Sequence, residues 1–280
     1  MPISRPTDLA GALEVLAEVP TADVLAGGTD AMVEISFDHR RPEHVVALRR
    51  IDALREHRVS PAVLELGATI TYMQIETELA EHAPGLAMAS RTVGSPQIRN
   101  AGTIGGNLGT ASPAGDTLPW LLAMDAEVEL TSAARGTRHL PLAAFITGPK
   151  RTAREADELI TSVRVPRVEG PQHTAKIGPR NAMVISVACV AVIVDTTNRV
   201  VRIGMGSVGP GPLRATDAEA AVSEAIDWEA LRCPEAAIGA FGRACAEAAR
   251  PITDHRSTAE YRRHAVGVLA ARSLRRCLNA

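Results

Sequence analysis

The sequence predicts an α+β chain with an N-terminal part of alternating strands and helices followed by a small C-terminal α+β domain. Three observations predict it. Short strand and helix patterns alternate from the N-terminus, and composition turns rich in proline, glycine and polar residues over 166–179. Beyond that stretch, two β-branched runs separated by a turn precede three helical segments. The expected parts are 1–167 and 168–280. A chain of 280 residues is long enough to bury a large core without a metal or disulfide staple.

Leu9, Ala12, Leu13, Leu16 and Ala17 fall at helical spacing behind a capping Thr7, so a helix is expected there. A strand at Val24 and Leu25 leads into the turn Ala26-Gly27-Gly28-Thr29-Asp30 and a short helix from about Asp30. Val45 to Leu48 and Val63 to Leu66 read as strands, and Thr71 to Leu79 as a helix. Gly94 to Gly115 is nearly uncharged, holds six glycines and leads into the apolar LPWLLAMDA; it reads as an ordered binding loop. Glu127 to Leu130 and Leu159 to Val165 read as strands, the second stopped by Pro166. Val184 to Val194 and Val200 to Val208 form a predicted hairpin around Asp195-Thr-Thr-Asn-Arg199. Helices are expected at about 215–226, 236–249 and from Thr258 to Leu278.

Thirty basic against thirty-two acidic side chains leave a net charge of −2, which excludes a polybasic nucleic-acid or anionic-membrane binder as the default. Lys150 and Lys176 are the only lysines. The longest uncharged apolar run, Ala182 to Val194, is too short to span a bilayer, and the N-terminus shows no signal-peptide pattern. Cys189, Cys233, Cys245 and Cys277 are far apart with no CxxC pair, so the chain carries no iron–sulfur cluster of its own. A reduced, cytoplasmic location is the expectation. Cys189, in an apolar strand, reads as a core thiol.

Two glycine loops carry the candidate chemistry. In Ala26 to Asp30, glycines following a strand let main-chain N–H groups converge on an anion, although Thr29 or Asp30 could equally be a plain N-cap. In Thr103-Ile104-Gly105-Gly106-Asn107, a glycine pair is flanked by a hydroxyl and an amide; the alternative is a tight turn. With no lysine or arginine beside that loop, a pyrophosphate there would be held by neutral donors. Gly204 to Gly209 is a literal GxGxxG, but Pro210 and Pro212 forbid the helix a dinucleotide fingerprint requires. No metal-ligand spacing, nucleophile elbow or phosphate-binding P-loop occurs. Two anion cradles without an acid–base set suit a protein whose cofactor does the chemistry.

AGGTD, IRNAGTIGGNLGTASPAGD and SVRVP, with PITDHRSTAEYRRHAVGVLAARSL near the C-terminus, resemble the FAD-binding medium subunit of the molybdenum hydroxylases. That family includes xanthine and carbon monoxide dehydrogenases and aromatic hydroxylases. GSPQIRNAGT, GPKR and KIGPRNAMVIS are most similar to xanthine-dehydrogenase-type subunits. The resemblance implies the FAD-binding fold of the vanillyl-alcohol-oxidase-like, PCMH type, with two α/β subdomains, about 1–55 and 56–167, gripping FAD and a third domain behind them. It implies that Leu25, Ala26, Gly27, Gly28, Thr29, Asp30 and Ala31 wrap the FAD pyrophosphate. Thr103, Ile104, Gly105, Gly106 and Asn107 would hold the same phosphates from the other side, through the N–H groups of the two glycines and the Thr103 and Asn107 side chains. Asp116 would accept from a sugar hydroxyl or the ribityl chain, Ile160 would approach the cofactor, and Lys176 would lie near the flavin. Val93 stands where some relatives stack an aromatic on the adenine.

The expected function is electron transfer. Substrate would be oxidised at the molybdenum cofactor of a molybdopterin-binding large subunit, and electrons would cross [2Fe–2S] clusters of a small subunit. FAD on this chain would pass them to NAD⁺ or another acceptor, with a purine such as xanthine as the expected substrate. A stand-alone FAD-dependent oxidase would need a general base near the flavin, and no candidate base with a partner is visible. A non-catalytic nucleotide-binding module is the third reading; reduction of bound flavin by NADH would eliminate it.

Overall fold

A computed structural model describes residues 2–278. The first unit is a small parallel sheet in the order β1-β3-β2, formed by β1 (Ile3–Ser4), β2 (Asp23–Leu25) and β3 (Val45–Ala47). Helix α1 (Leu9–Glu18) connects β1 to β2 and α2 (Ala31–Ser36) connects β2 to β3. The cap of α1 is Asp8 rather than Thr7, its carboxylate accepting from the Gly11 N–H at 2.8 Å. Ala12, Leu13 and Leu16 on one face of α1 pack with Val46, Leu48, Ile51 and Leu54. Leu159 joins this cluster from the next unit and ties the two together.

The second unit is a five-stranded antiparallel sheet in the order β4-β5-β10-β6-β7. Its strands are β4 (His57–Val59), β5 (Val63–Gly67), β6 (Glu127–Ser132), β7 (Gly136–Pro141) and β10 (Glu158–Pro166). A two-stranded ribbon, β8 (Ile146–Gly148) with β9 (Arg151–Thr152), lies before β10. Helices α3 (Tyr72–Glu78), α4 (Pro84–Arg91), α5 (Pro96–Ala101), α6 (Ile104–Thr110), α7 (Leu118–Ala123) and α8 (Leu142–Phe145) accompany the sheet. Trp120, Phe145, Leu64, Leu66, Ile104 and Leu108 are among the buried side chains of this core.

Gly94 to Gly115 is therefore not a single long loop. It contains two short helices, each started by a hydroxyl cap: Ser95 accepts from the Ile98 N–H and Thr103 from the Gly106 N–H. Helix α6 exists because Ile104 and Leu108, one turn apart, are buried in the core; tertiary packing overrides the poor helix propensity of its three glycines.

The C-terminal unit is an antiparallel meander, β11 (Gln172–Ile177), β12 (Ala188–Asp195) and β13 (Val200–Gly206), with α9 (Thr216–Ala225), α10 (Glu235–Ala248) and α11 (Ala259–Leu278). Strand β11 falls inside the stretch whose composition suggested a linker, and residues 184–187 precede β12 rather than belonging to it. The uninterrupted apolar run of β12 reflects burial on both faces. Val190, Val192 and Val194 join the core under α10 and α11, whereas Ala191 and Ile193 join the core of the second unit. The β12–β13 hairpin closes with Arg199 at φ +54° and the Asp195 carboxylate accepting from the Asn198 N–H at 2.9 Å. Strand β13 ends at Gly206, and Met205 pairs back to Leu213, so no helix follows the GxGxxG match. A Cβ on Gly204 would collide with the Pro119 carbonyl, so that glycine serves the close approach of β13 to α7.

Among the described residues no helix is long and apolar enough to cross a membrane. All four cysteines are free, and burial pushes the Cys189 thiol up to about 12.

Candidate functional site

A cavity of about 490 Å³ opens where the turn after β2 faces α6 and the middle of β10. Leu25, Ala26, Gly27, Gly28, Thr29, Asp30 and Ala31 all line it. Gly28, at φ +73°, takes the left-handed conformation that reverses the chain between β2 and α2. Gly27 serves close approach: a Cβ there would strike the Ala101 carbonyl at the α5–α6 junction, so the two glycine segments pack directly on one another. Among the described residues, the N–H groups of Gly27 to Ala31 donate to no protein acceptor. Unpaired N–H groups along a concave wall are ready donors for an anion.

The opposite wall is α6, where Thr103, Gly106, Asn107 and Thr110 recur at helical spacing, with Gly109 beside them. Gly105 also lines the cavity, but its N–H donates to the Ala68 carbonyl at 2.8 Å. The Gly106 N–H is held by the Thr103 hydroxyl at 3.0 Å. The expectation that these two N–H groups hold phosphate is corrected accordingly: both are used in starting the helix. Ile104 is fully buried, its N–H donates to Ile70, and it anchors α6 from the core side rather than lining the cavity. What Gly106 offers is space. A Cβ there would meet only the Thr103 hydroxyl, at 3.0 Å, whereas one on Gly105 would lie 2.6 Å from the Ala68 carbonyl oxygen. Asn107 is oriented by buried Thr117, whose hydroxyl donates to Asn107 Oδ1 at 2.5 Å.

Ile160 lines the cavity beside Gly109, and the register of β10 against β6 shifts between Ile160 and Ser162. Such a bulge re-aims a side chain at the point where it occurs.

Charged residues distant in sequence complete the wall. Arg40, Lys150 and Arg154 face it together with Asp23, Asp30 and Glu34, so the expectation of neutral donors alone does not hold. Two of the cations are already paired: Arg40 with Asp23, and Lys150 with Glu34 at 2.5 Å. The hydrogen bond from Lys150 holds the Glu34 carboxyl below its ordinary range. Arg154 donates to the carbonyls of Glu155, Ala156 and Glu158.

Asp116 and Lys176 lie outside this cavity and meet each other. Their ion pair, at 2.6 Å, joins the segment before α7 to β11, and the side chains are only 10% and 7% exposed. Burial pushes the Asp116 carboxyl up to about 6 against the opposing pull of Lys176. The buried Ser186 hydroxyl lies near the same carboxylate and, like Lys176, favours its charged form. Val93 follows α4 and is not part of the cavity wall.

Tyr72, Gly109, Thr110 and the three cations also line the cavity, beyond the residues expected from the sequence. For the α6 wall the local signal is the helical spacing of the polar and small residues at 103, 106, 107 and 110, on a different face from Ile104 and Leu108. The cations carry no local signal, because they reach the cavity through tertiary folding.

Residues 1–168 match the family described as the FAD binding domain in molybdopterin dehydrogenase, and residues 173–277 match the CO dehydrogenase flavoprotein C-terminal domain. The chain belongs to the FAD-binding medium subunits of the molybdenum hydroxylases. It is 38% identical over 220 residues to the nicotinate dehydrogenase FAD-subunit of Eubacterium barkeri, covering 75% of this chain and 74% of that protein. It is 30% identical over 276 residues to the xanthine dehydrogenase FAD-binding subunit of Escherichia coli O157:H7, covering 94% and 90%. Among solved structures, reconstituted CO dehydrogenase from Oligotropha carboxidovorans superposes with a TM-score of 0.89 at 27% identity, covering all of this chain and 98% of that one. Dehydrogenase and oxidoreductase subunits are thus the relatives of this flavoprotein subunit.

Proposed function

We propose that this subunit holds FAD between the turn at Leu25 to Ala31 and the α6 wall, and relays electrons from a partner's iron–sulfur clusters to NAD⁺ or another acceptor. The observation that carries the reading is the row of unpartnered N–H groups from Gly27 to Ala31, facing a glycine-floored helix across a cavity of about 490 Å³. That volume falls within the range of about 300–1,000 Å³ typical of small-molecule and cofactor sites. The residues fit the group: open main-chain donors for an anion from Gly27 to Ala31, and room over Gly106. Bound FAD supplies a centre that accepts electrons singly and releases them as a pair.

In this reading Gly27 to Ala31 bind the pyrophosphate through main-chain N–H groups, and Gly106 leaves it room. Thr103 starts α6 and Asn107 presents its amide from that wall. Ile160 excludes water, and Asp116 with Lys176 bears on the flavin half. Residues 1–167 form the FAD-binding domain, in two subdomains of about 1–55 and 56–167, and 168–280 the C-terminal domain. The medium-subunit family supports a molybdopterin-binding large subunit and a [2Fe–2S] small subunit as partners in the cytoplasm. The four dispersed, free cysteines fit clusters held elsewhere. Likeness to nicotinate and xanthine dehydrogenase subunits favours a nitrogen heterocycle, such as a purine, as the substrate of the assembly.

The test is a titration of the purified chain, alone and copurified with its partner subunits, with FAD and with FMN, followed by flavin fluorescence. Tight FAD binding with little FMN binding is expected, because the adenosine pyrophosphate half makes the contacts. Equal binding of both, or of neither in either preparation, would refute the assignment.

A further inference from the structure

Tyr72 is the first residue of α3 and is 5% exposed. Its main chain and its ring both meet Gly102. The Tyr72 N–H donates to the Gly102 carbonyl at 3.1 Å, and Gly102 has no side chain because a Cβ there would lie 2.8 Å from Tyr72 Cε2. The tyrosine is thereby wedged against the segment that starts α6, and it lines the cavity with the turn at Gly27 to Asp30. Its hydroxyl makes no hydrogen bond with any described residue. The ring is packed in the fold while the residue borders the cavity, so the hydroxyl is free to donate to a ligand there; phenylalanine would fill the same space without that donor. Burial, with Asp116 and then Asp30 nearby, raises its pKa, so the group stays protonated and toward an anion it acts only as a donor. Neither carboxylate takes its proton in a hydrogen bond, and Asp116 Oδ2 is occupied by Lys176.

Resting on the FAD reading above, we propose that the Tyr72 hydroxyl is a side-chain donor to the cofactor's pyrophosphate, on the side where the Gly105 and Gly106 N–H groups are spent inside the fold. The main-chain donors of Gly27 to Ala31 then serve one side of the phosphates, and Tyr72 with the Asn107 amide serves the other.

The test is Tyr72→Phe in the full chain, titrated with FAD and with ADP as a competitor. Loss of a hydrogen bond to a charged acceptor predicts a Kd raised by about 10- to 100-fold, by the same factor for both ligands, since both carry the diphosphate. An unchanged Kd for FAD would overturn the proposal while leaving the FAD reading in place. So would weakened FAD with unaltered ADP, which would move the contact to the flavin half. A wild-type chain that binds FAD neither alone nor with its partner subunits would overturn the FAD reading itself, and this proposal with it. A second measurement needs no substitution at Tyr72. The chain has two tyrosines, so 3-fluorotyrosine labelling gives two ¹⁹F resonances, assigned through Tyr261→Phe. Saturating FAD should shift the Tyr72 signal and leave Tyr261, half-exposed on α11, in place. A Tyr72 signal unmoved by bound FAD would overturn the contact.

Discussion

Gly106 and Gly27 face the same cavity, yet the structure assigns them opposite tasks, and one methyl group added to each separates the two. In Gly106→Ala the new Cβ would meet only the Thr103 hydroxyl, at 3.0 Å, and would otherwise project into the cavity. Replacing a helical glycine by alanine gains up to about 1 kcal/mol, and a small shift of the Thr103 cap offsets part of that. The ligand-free chain should therefore unfold within about 1 kcal/mol of wild type. In the proposed site the same methyl would occupy space left for the pyrophosphate. Each hydrogen bond to a charged acceptor that is broken costs about 1.5–3 kcal/mol, or roughly 10- to 150-fold in Kd. In Gly27→Ala the Cβ would run into the Ala101 carbonyl, part of a main chain that cannot swing aside. That overpacking should destabilise the ligand-free chain by about 1–3 kcal/mol or more. Denaturant unfolding without FAD and fluorescence titration with it measure the two effects separately. Wild-type FAD affinity in Gly106→Ala, or a ligand-free chain as unstable as that of Gly27→Ala, would refute the reasoning.

Other substitutions address neighbouring parts of the site and its supports. Asn107→Ala should weaken FAD by about 1.5–3 kcal/mol if its amide bonds a phosphate oxygen, and an unaltered Kd would remove it from the site. Asp116 has a native pKa of about 6, against an unfolded value of about 3.9, because burial disfavours its charge. A raised carboxyl pKa contributes stability that is complete below about pH 4 and is lost as pH rises through 6. The ligand-free chain should accordingly lose about 2–3 kcal/mol from this group between about pH 4 and pH 7, and Asp116→Asn should flatten that slope. Parallel slopes in urea titrations across that range would rule it out. Arg262 is 3% exposed and donates to the Val187 carbonyl at 2.8 Å, the Ser207 carbonyl at 3.0 Å and the Asp254 carboxylate at 2.7 Å. Arg262→Met should cost about 3–5 kcal/mol in urea unfolding, because the freed acceptors stay buried; a loss below about 1 kcal/mol would contradict this.

The legible parts of this chain are those written in local pattern. The amphipathic spacing of α1, the β-branched runs of β12 and β13 and the Asp195–Arg199 turn each state their structure within a dozen residues. Both glycine segments were marked for the same reason, since a Gly-Gly pair beside hydroxyl and amide side chains has few local uses. Glycine's purpose is less legible than its presence. Gly27 and Gly105 are small where backbone passes close by, whereas Gly106 faces the open cavity, where a Cβ would meet only the Thr103 hydroxyl. All three look alike in the sequence.

Two elements show why pattern reading ended where it did. Helix α6 is seven residues long with three glycines, and it forms because Ile104 and Leu108 are buried beneath it. That stabilisation is contributed by a core assembled from distant strands. Strand β11 carries no apolar run, and it is a strand because its main chain pairs with β12 from Gln172 to Ile177.

The alternation of elements, the hairpin, the two glycine segments and the lack of a cysteine set fit for a cluster all follow from near-neighbour spacing in the chain. Which N–H groups are spent and which remain open depends instead on the folded arrangement. That arrangement also brought Arg40, Lys150 and Arg154 to one wall, paired Asp116 with Lys176 and left the Tyr72 hydroxyl without a partner. The physical reason is that a hydrogen bond or ion pair is made with whatever lies within about 3 Å, and for these groups the neighbours are set by the packing of α6, β10 and β11.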